Sequence, residues 1–182
     1  MAVASGDLRQ RKIAKSFEAL DVTGRGTVSM SDLEDQVRRI AAEFGAAADS
    51  PQFARLLDAD ARCWRELVKC VGKSPEQELT MDEYVQGITR LRQQDIRKAL
   101  TQYAEALFEM VDNNRDGRIS RDEFVRYAKA IGVSSEDAGA VFQRMDSDGD
   151  GELSRTEFAR NMYDFFAGSD VKATGNELIG RL

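Results

Sequence analysis

Apolar residues recur three or four positions apart along most of this chain, the spacing of α-helices that each bury one face. Ile13, Phe17 and Leu20 begin the series, and Leu33, Val37, Ile40 and Phe44 continue it. A helix is predicted from Pro51, a good first-turn residue behind the caps Asp49 and Ser50. Along it Phe53, Leu56, Leu57, Trp64, Leu67, Val68 and Val71 form a broad apolar face. From Thr80 to Val111 the pattern predicts a nearly unbroken helical tract, because no glycine or proline falls between Ile88 and Met110. Its charged stretch, Arg90 to Lys98, reads as a solvated face. Later stripes are Tyr103, Leu107, Phe108 and Val111; Phe124, Ala128 and Ile131; Ala138, Val141, Phe142 and Met145; and Phe158, Met162 and Phe165. Between the second and third of these, Gly132 ends one helix and a serine starts the next. The aromatic positions read as core rather than as a cofactor site, and the fold class is all-α.

The polar interruptions carry the chemistry. Asp112 to Glu123 reads DNNRDGRISRDE, and Asp146 to Glu157 reads DSDGDGELSRTE. Each stretch turns oxygens inward at alternate residues, so that a short loop can fold round one hard cation while a glycine permits the sharp bend. In the later loop Asp146, Asp148 and Asp150 are expected to donate carboxylate oxygens and Gly151 to make the bend. Glu152 offers its main-chain carbonyl, Ser154 is placed to hold a water, and Glu157 closes the shell with both oxygens. In the earlier loop Asp112, Asn114 and Asp116 precede Gly117, and the Arg118 carbonyl, Ser120 and a bidentate Glu123 complete the set. Asp, Asn and Gly also crowd ordinary turns. Two full matches to D-x-[DN]-x-[DN]-G-x5-E, each between helical patterns, are a far more specific signal. Both loops resemble EF-hand calcium loops, which implies calcium as the bound ion and magnesium as its competitor.

Two further loops emerge on looking for repeats of the same unit. Asp21 to Asp32 reads DVTGRGTVSMSD between convincing helices, and Gly72 to Glu83 reads GKSPEQELTMDE. The second is placed by its ending, where Leu79, Thr80, Glu83 and Tyr84 resemble Ile119, Ser120, Glu123 and Phe124. Loop starts at 21, 72, 112 and 146 are separated by 51, 40 and 34 residues. The expected organisation is two pairs of helix-loop-helix units packed as one globule. Residues 1–92 hold loops 21–32 and 72–83, and residues 93–182 hold loops 112–123 and 146–157 plus a tail. Each pair should join through one short strand bridge, Val28 against Leu79 and Ile119 against Leu153.

Ligand chemistry ranks the loops, since affinity follows carboxylate count and the quality of the last ligand. The Asp146 loop has four ligand carboxylates and should bind tightest, followed by the Asp112 loop, where Asn114 is neutral. In the Asp21 loop Thr23 replaces an acid, Arg25 puts a cation at a ligand position, and Asp32 is one methylene short of glutamate. Such a loop could hold calcium weakly or favour magnesium, with the Arg25 and Thr27 carbonyls still available. The Gly72 loop lacks an acid at its start and has Gln77 at the bend, so it reads as an empty structural partner. Glu83 alone cannot hold an ion.

Composition narrows the function. At 182 residues the chain can bury a real core, as one domain or two lobes. The net charge of −6 argues against general nucleic-acid binding. Two calcium ions would bring that charge to −2, so the acidity is largely ligand charge. Histidine is absent, which excludes imidazole zinc sites, histidine acid–base catalysis and histidine pH switches. Cys63 and Cys70 lie seven apart on one helix, roughly 10 Å along its axis, too far to bridge. They read as buried reduced thiols of a cytoplasmic protein. The N-terminus MAVASGDLRQRK lacks the apolar run of a signal peptide, and no segment is long and apolar enough to span a membrane. Arginine outnumbers lysine 19 to 7, a weak hint of a GC-rich bacterial genome.

The whole pattern resembles calerythrin and the sarcoplasmic calcium-binding proteins: a degenerate second loop, a long spacer in the first half and an aspartate closing the first loop. That resemblance implies a compact globule whose halves pack together, with an intracellular calcium-buffering role. Arg25 and Thr23 depart from the family's usual first loop. Two roles stay open, a monomeric buffer or calcium-stabilised signalling protein, and a sensor that exposes an apolar groove to a partner protein. Met110, Met145 and Met162 fit core positions, which favours the buffer. Enzyme chemistry finds no support: there is no glycine-rich phosphate loop, Gly-x-Ser-x-Gly elbow or cysteine with a histidine base. For the tail Ser169 to Leu182 there are two readings, a frayed terminus or a segment folded back on an apolar groove by Leu178, Ile179 and Leu182.

Overall fold

The helical stripes close on one another through eight α-helices, in a computed structural model that describes residues 5–180. In chain order these are α1 (Ser5–Leu20), α2 (Met30–Glu43), α3 (Pro51–Cys70), α4 (Met81–Arg90), α5 (Gln93–Val111), α6 (Arg121–Ala130), α7 (Ser135–Met145) and α8 (Arg155–Phe166). Four two-residue strands lie in the loops: β1 (Thr27–Val28), β2 (Leu79–Thr80), β3 (Ile119–Ser120) and β4 (Glu152–Leu153). They pair antiparallel as β1 with β2 and β3 with β4, in the register Val28 to Leu79 and Ile119 to Leu153 expected from the sequence. All four of those apolar residues are fully buried, so each bridge pins its two loops to the core.

Local chemistry starts each helix that follows a loop. At Ser29 both N and Oγ donate to Asp32 Oδ2, whereas Thr80, Ser120 and Ser154 are N-caps that exchange hydrogen bonds with the acid three residues on, Glu83, Glu123 or Glu157. This reciprocal arrangement satisfies two backbone donors that a helix start leaves unpaired. Ser50 caps α3 by accepting from Phe53 N at 3.2 Å, with Pro51 at the first helical position. Ser134 caps α7, two residues after Gly132 reverses the chain at φ +88°.

Two apolar clusters form the core, and each draws on both halves of the chain. One joins Val37, Ile40, Phe44, Phe53 and Leu56 to Phe108, Phe124, Phe142, Phe158 and Phe165. The other joins Ile13, Phe17, Trp64, Leu67 and Tyr84 to Ile96, Leu100 and Ala167. Polar contacts also cross. Arg126 stacks on the Phe44 ring at 4.5 Å, and Arg9 donates to Ile88 O and Phe166 O.

Two expectations need correction. The tract from Thr80 to Val111 is broken, for Leu91 (ψ 133°) and Arg92 (ψ 146°) are extended between α4 and α5. No local breaker sits there. The turn lets α4 pack on α1 and α3 while α5 runs between α3 and α8, with Leu91 against the second cluster. Burial gained by both helices outweighs the hydrogen bonds lost at one joint. The thiols Cys63 and Cys70 are free as expected, but only partly buried.

The tail folds back. A 3-10 turn at Thr174–Glu177 packs on α7 and α8, Leu178 is 1% exposed, and Ile179 rests on the first cluster. Leu182 lies outside the described residues, as do the first four residues of the N-terminal stretch. The buried Lys12 Nζ fastens the tail to α1 by donating to Asp164 O (2.6 Å), Gly168 O (3.0 Å) and Asn176 Oδ1 (2.8 Å).

Candidate metal centre

In the Asp146 loop, Asp146, Asp148 and Glu157 each bring one carboxylate oxygen within 4.8 Å of the others. The backbone causes that convergence. Asp146 Oδ2 accepts from Gly151 N at 3.0 Å, and Asp148 Oδ1 accepts from Asp150 N at 3.2 Å. Gly151 turns the chain at φ +87°, where a side chain would be strained. Glu157 spans the loop: Oε1 accepts from Ser147 N and Oγ, and Oε2 from Ser154 N and Oγ, all at 2.8–3.0 Å. Burial opposes the charge on Glu157, but the hydrogen bonds from Ser154 and Ser147 prevail and hold its carboxyl at about 2. Asp150 leans elsewhere, its Oδ1 accepting from Glu152 N at 2.9 Å and its Oδ2 facing Arg118 Nη1 at 3.3 Å.

The Asp112 loop repeats the frame. Glu123 Oε1 accepts from Asn113 N at 2.9 Å, and Oε2 accepts from Ser120 N at 2.8 Å. Asn114 Oδ1 accepts from Asp116 N at 3.0 Å, and Asp112 Oδ2 from Gly117 N at 3.0 Å. Asp112 Oδ1 is buried with no hydrogen-bond partner. An orphaned carboxylate oxygen inside a loop of oxygen donors is costly unless a cation meets it, so these residues fit a hard divalent ion. Among the described residues no second acid trio converges as tightly as that of the Asp146 loop. Asp116 Oδ2 instead takes a hydrogen bond from Asn114 Nδ2 at 2.7 Å.

The first two loops already contain a cation each. Arg25 Nη2 lies 2.9 and 2.8 Å from the two oxygens of Asp32, and Asp21 accepts from the backbone N–H groups of Arg25 and Gly26. Lys73 Nζ lies 2.6 Å from Glu83 Oε2 and also donates to Glu78 O. That contact, with the Thr80 hydrogen bonds, lowers the Glu83 carboxyl from its ordinary range. Sequence reasoning noticed Arg25 and missed Lys73. Its signal was a lysine directly after the loop's first residue, in a loop whose only strong ligand is its last.

The family model of an EF-hand domain pair matches residues 90–163. Residues 90–163 are similar to an EF-hand domain pair. Calerythrin from Saccharopolyspora erythraea is 29% identical over 141 residues, which cover 75% of this chain and 77% of that protein. The structure of a Streptomyces coelicolor calcium-binding protein, described in terms of calcium-mediated regulation, superposes with a TM-score of 0.76 at 26% identity. It covers 90% of this chain and 99% of its own. Calcium-loaded apo-aequorin from Aequorea victoria gives a TM-score of 0.76 at 25% identity, covering 91% of this chain and 94% of its own. The matched EF-hand pair contains both loops whose oxygens fit a hard ion, and it excludes the two loops neutralised by Arg25 and Lys73.

Proposed function

We propose that this EF-hand protein binds two calcium ions, one in each C-terminal loop, and acts as a calcium buffer or calcium-stabilised signalling protein rather than an enzyme. The observation that carries the reading is the convergence of Asp146, Asp148 and Glu157, next to a loop with an unpartnered Asp112 oxygen. Asp112, Asn114, Asp116, the Arg118 carbonyl and Glu123 hold one ion; Asp146, Asp148, Asp150, the Glu152 carbonyl and Glu157 hold the other. Calcium relieves the repulsion of clustered carboxylates, which couples loading to stability. Loops 21–32 and 72–83 complete an N-terminal pair over residues 1–92, in which Arg25 and Lys73 replace the ions. The pair over residues 93–182 does the binding, and magnesium competes there.

The buffer is favoured over the sensor because helix faces that a sensor would open are packed across the halves. Among the described residues only Val22 and Val171 are large apolar side chains left exposed. Calorimetric titration should count two calcium sites, and a hydrophobic dye should gain little fluorescence on loading. Zero sites would overturn the calcium reading. Two sites with strong calcium-dependent dye binding would overturn the buffer in favour of a sensor with a protein partner.

A further inference from the structure

A cavity of about 130 Å³ lies among α1 to α6, α8 and the tail, and no ligand residue of the two C-terminal loops lines it. Its walls are mostly leucine, isoleucine and aromatic side chains, and it includes Tyr103 and Met162, which the helical spacing alone marks as core. A cavity of this size class, lined only by apolar groups, takes a benzene-sized guest and stays dry without one.

This one is not wholly apolar. Asp60, in mid-α3, lines it while only 5% exposed, and its Oδ2 has no hydrogen-bond partner. Burial pushes its carboxyl up to about 8. The neighbouring Tyr84 hydroxyl is engaged with Ser16 Oγ at 3.3 Å. No lysine or arginine lines the cavity, and its remaining charged side chains, Glu66 and Asp95, are also acidic. Trp64, Tyr84, Tyr103, Tyr127 and Phe166 line the space, and aromatic rings attract cations at their faces.

We infer that this cavity is a binding site for a small aromatic amine, whose ring fills the apolar space and whose ammonium group pairs with Asp60. A buried acid kept neutral for want of a partner ionises when an ammonium docks beside it, the absence of wall cations leaves that place to the ligand, and the volume limits the ligand to about one ring. An anion meets only acids there. A neutral hydroxyl brings no charge to stabilise ionised Asp60, so an alcohol pairs with it more weakly than an ammonium does.

The test uses the calcium-loaded full chain and two matched probes, 2-phenylethylamine and 2-phenylethanol, by calorimetry and ligand-observed NMR. The amine should bind one per chain, at least tenfold more tightly than the alcohol. Asp60→Asn, with its calcium stoichiometry unchanged, should shrink that preference below threefold. Ala99→Phe, at the cavity wall, should weaken both probes. Equal binding of amine and alcohol, a preference that survives Asp60→Asn, or no binding of either probe would each overturn the inference. Should Asp60→Asn fail to fold, the amine-to-alcohol ratio on the unmodified chain still decides.

Discussion

Replacing Arg25 by aspartate should turn a self-neutralised loop into a third metal site. Arg25 is about half exposed and Asp32 nearly buried, and a single nitrogen, Nη2, faces both Asp32 oxygens at 2.8 and 2.9 Å. A pair of that exposure contributes about 1 kcal/mol, which any ion entering the loop must displace. Arg25→Ala removes that competitor alone, a gain of roughly fivefold in affinity. Arg25→Asp also adds a third ligand carboxylate, equal to the count in the Asp112 loop. Its Coulomb attraction is large, but desolvation and repulsion from Asp21 and Asp32 offset most of it, leaving about 1 kcal/mol more. The sum, about 2 kcal/mol, is roughly thirtyfold. Calorimetric titration of the three proteins with calcium, then with magnesium, reads the result as an added binding step. If Arg25→Asp shows the same number of steps as the parent chain and the same thermal shift on loading, guanidinium competition does not govern this loop.

Other outcomes follow from the same geometry. Glu157→Gln removes the carboxylate that joins both ends of its loop, so one calcium step should weaken by a hundredfold or more, with the Asp112 loop still titrating. Chelation with EDTA should lower stability by about 3 kcal/mol for each site relative to calcium at a hundred times Kd, roughly 5 kcal/mol for two, read as a fall in Tm; an unchanged Tm contradicts tight sites. Lys12→Met leaves Asn176 Oδ1 and two carbonyls without their buried donor and should cost about 2–4 kcal/mol in urea unfolding, whereas a loss below 1 kcal/mol would deny the latch its role. Asp60 gives a pH dependence: burial holds its folded carboxyl at about 8 while the unfolded one titrates near 4. Between those values the folded chain binds the extra proton, so stability falls by up to about 1.4 kcal/mol per pH unit as pH rises from 5 to 8. Asp60→Asn should flatten that slope, measured by urea unfolding in excess calcium.

Much of this protein could be read from residue order because its determinants are local. Helical stripes name the core, for Ile13, Phe17, Phe108, Phe158 and Phe165 are all buried. The loops name candidate ligands, since a twelve-residue loop has few ways to present alternate oxygens, and the fold brings oxygens of Asp146, Asp148 and Glu157 together. The strand bridges were legible too, because the eighth residue of each loop is apolar and must face inward. What residue order left open depends on distant partners. The joint at Leu91 exists because α4 and α5 pack on different neighbours, and nothing in the local chain breaks there. The tail's choice between fraying and docking was settled by Lys12, more than 150 residues away along the chain. Arg25 announced a misplaced cation, but only packing showed that it grips Asp32 and that Lys73 does the same for Glu83. Asp60 lies on the stripe of Leu56 and Trp64, and residue order alone gives it no role. Its place at a cavity wall emerges only when seven helices close around the space, because a void belongs to no single segment and is defined by what surrounds it.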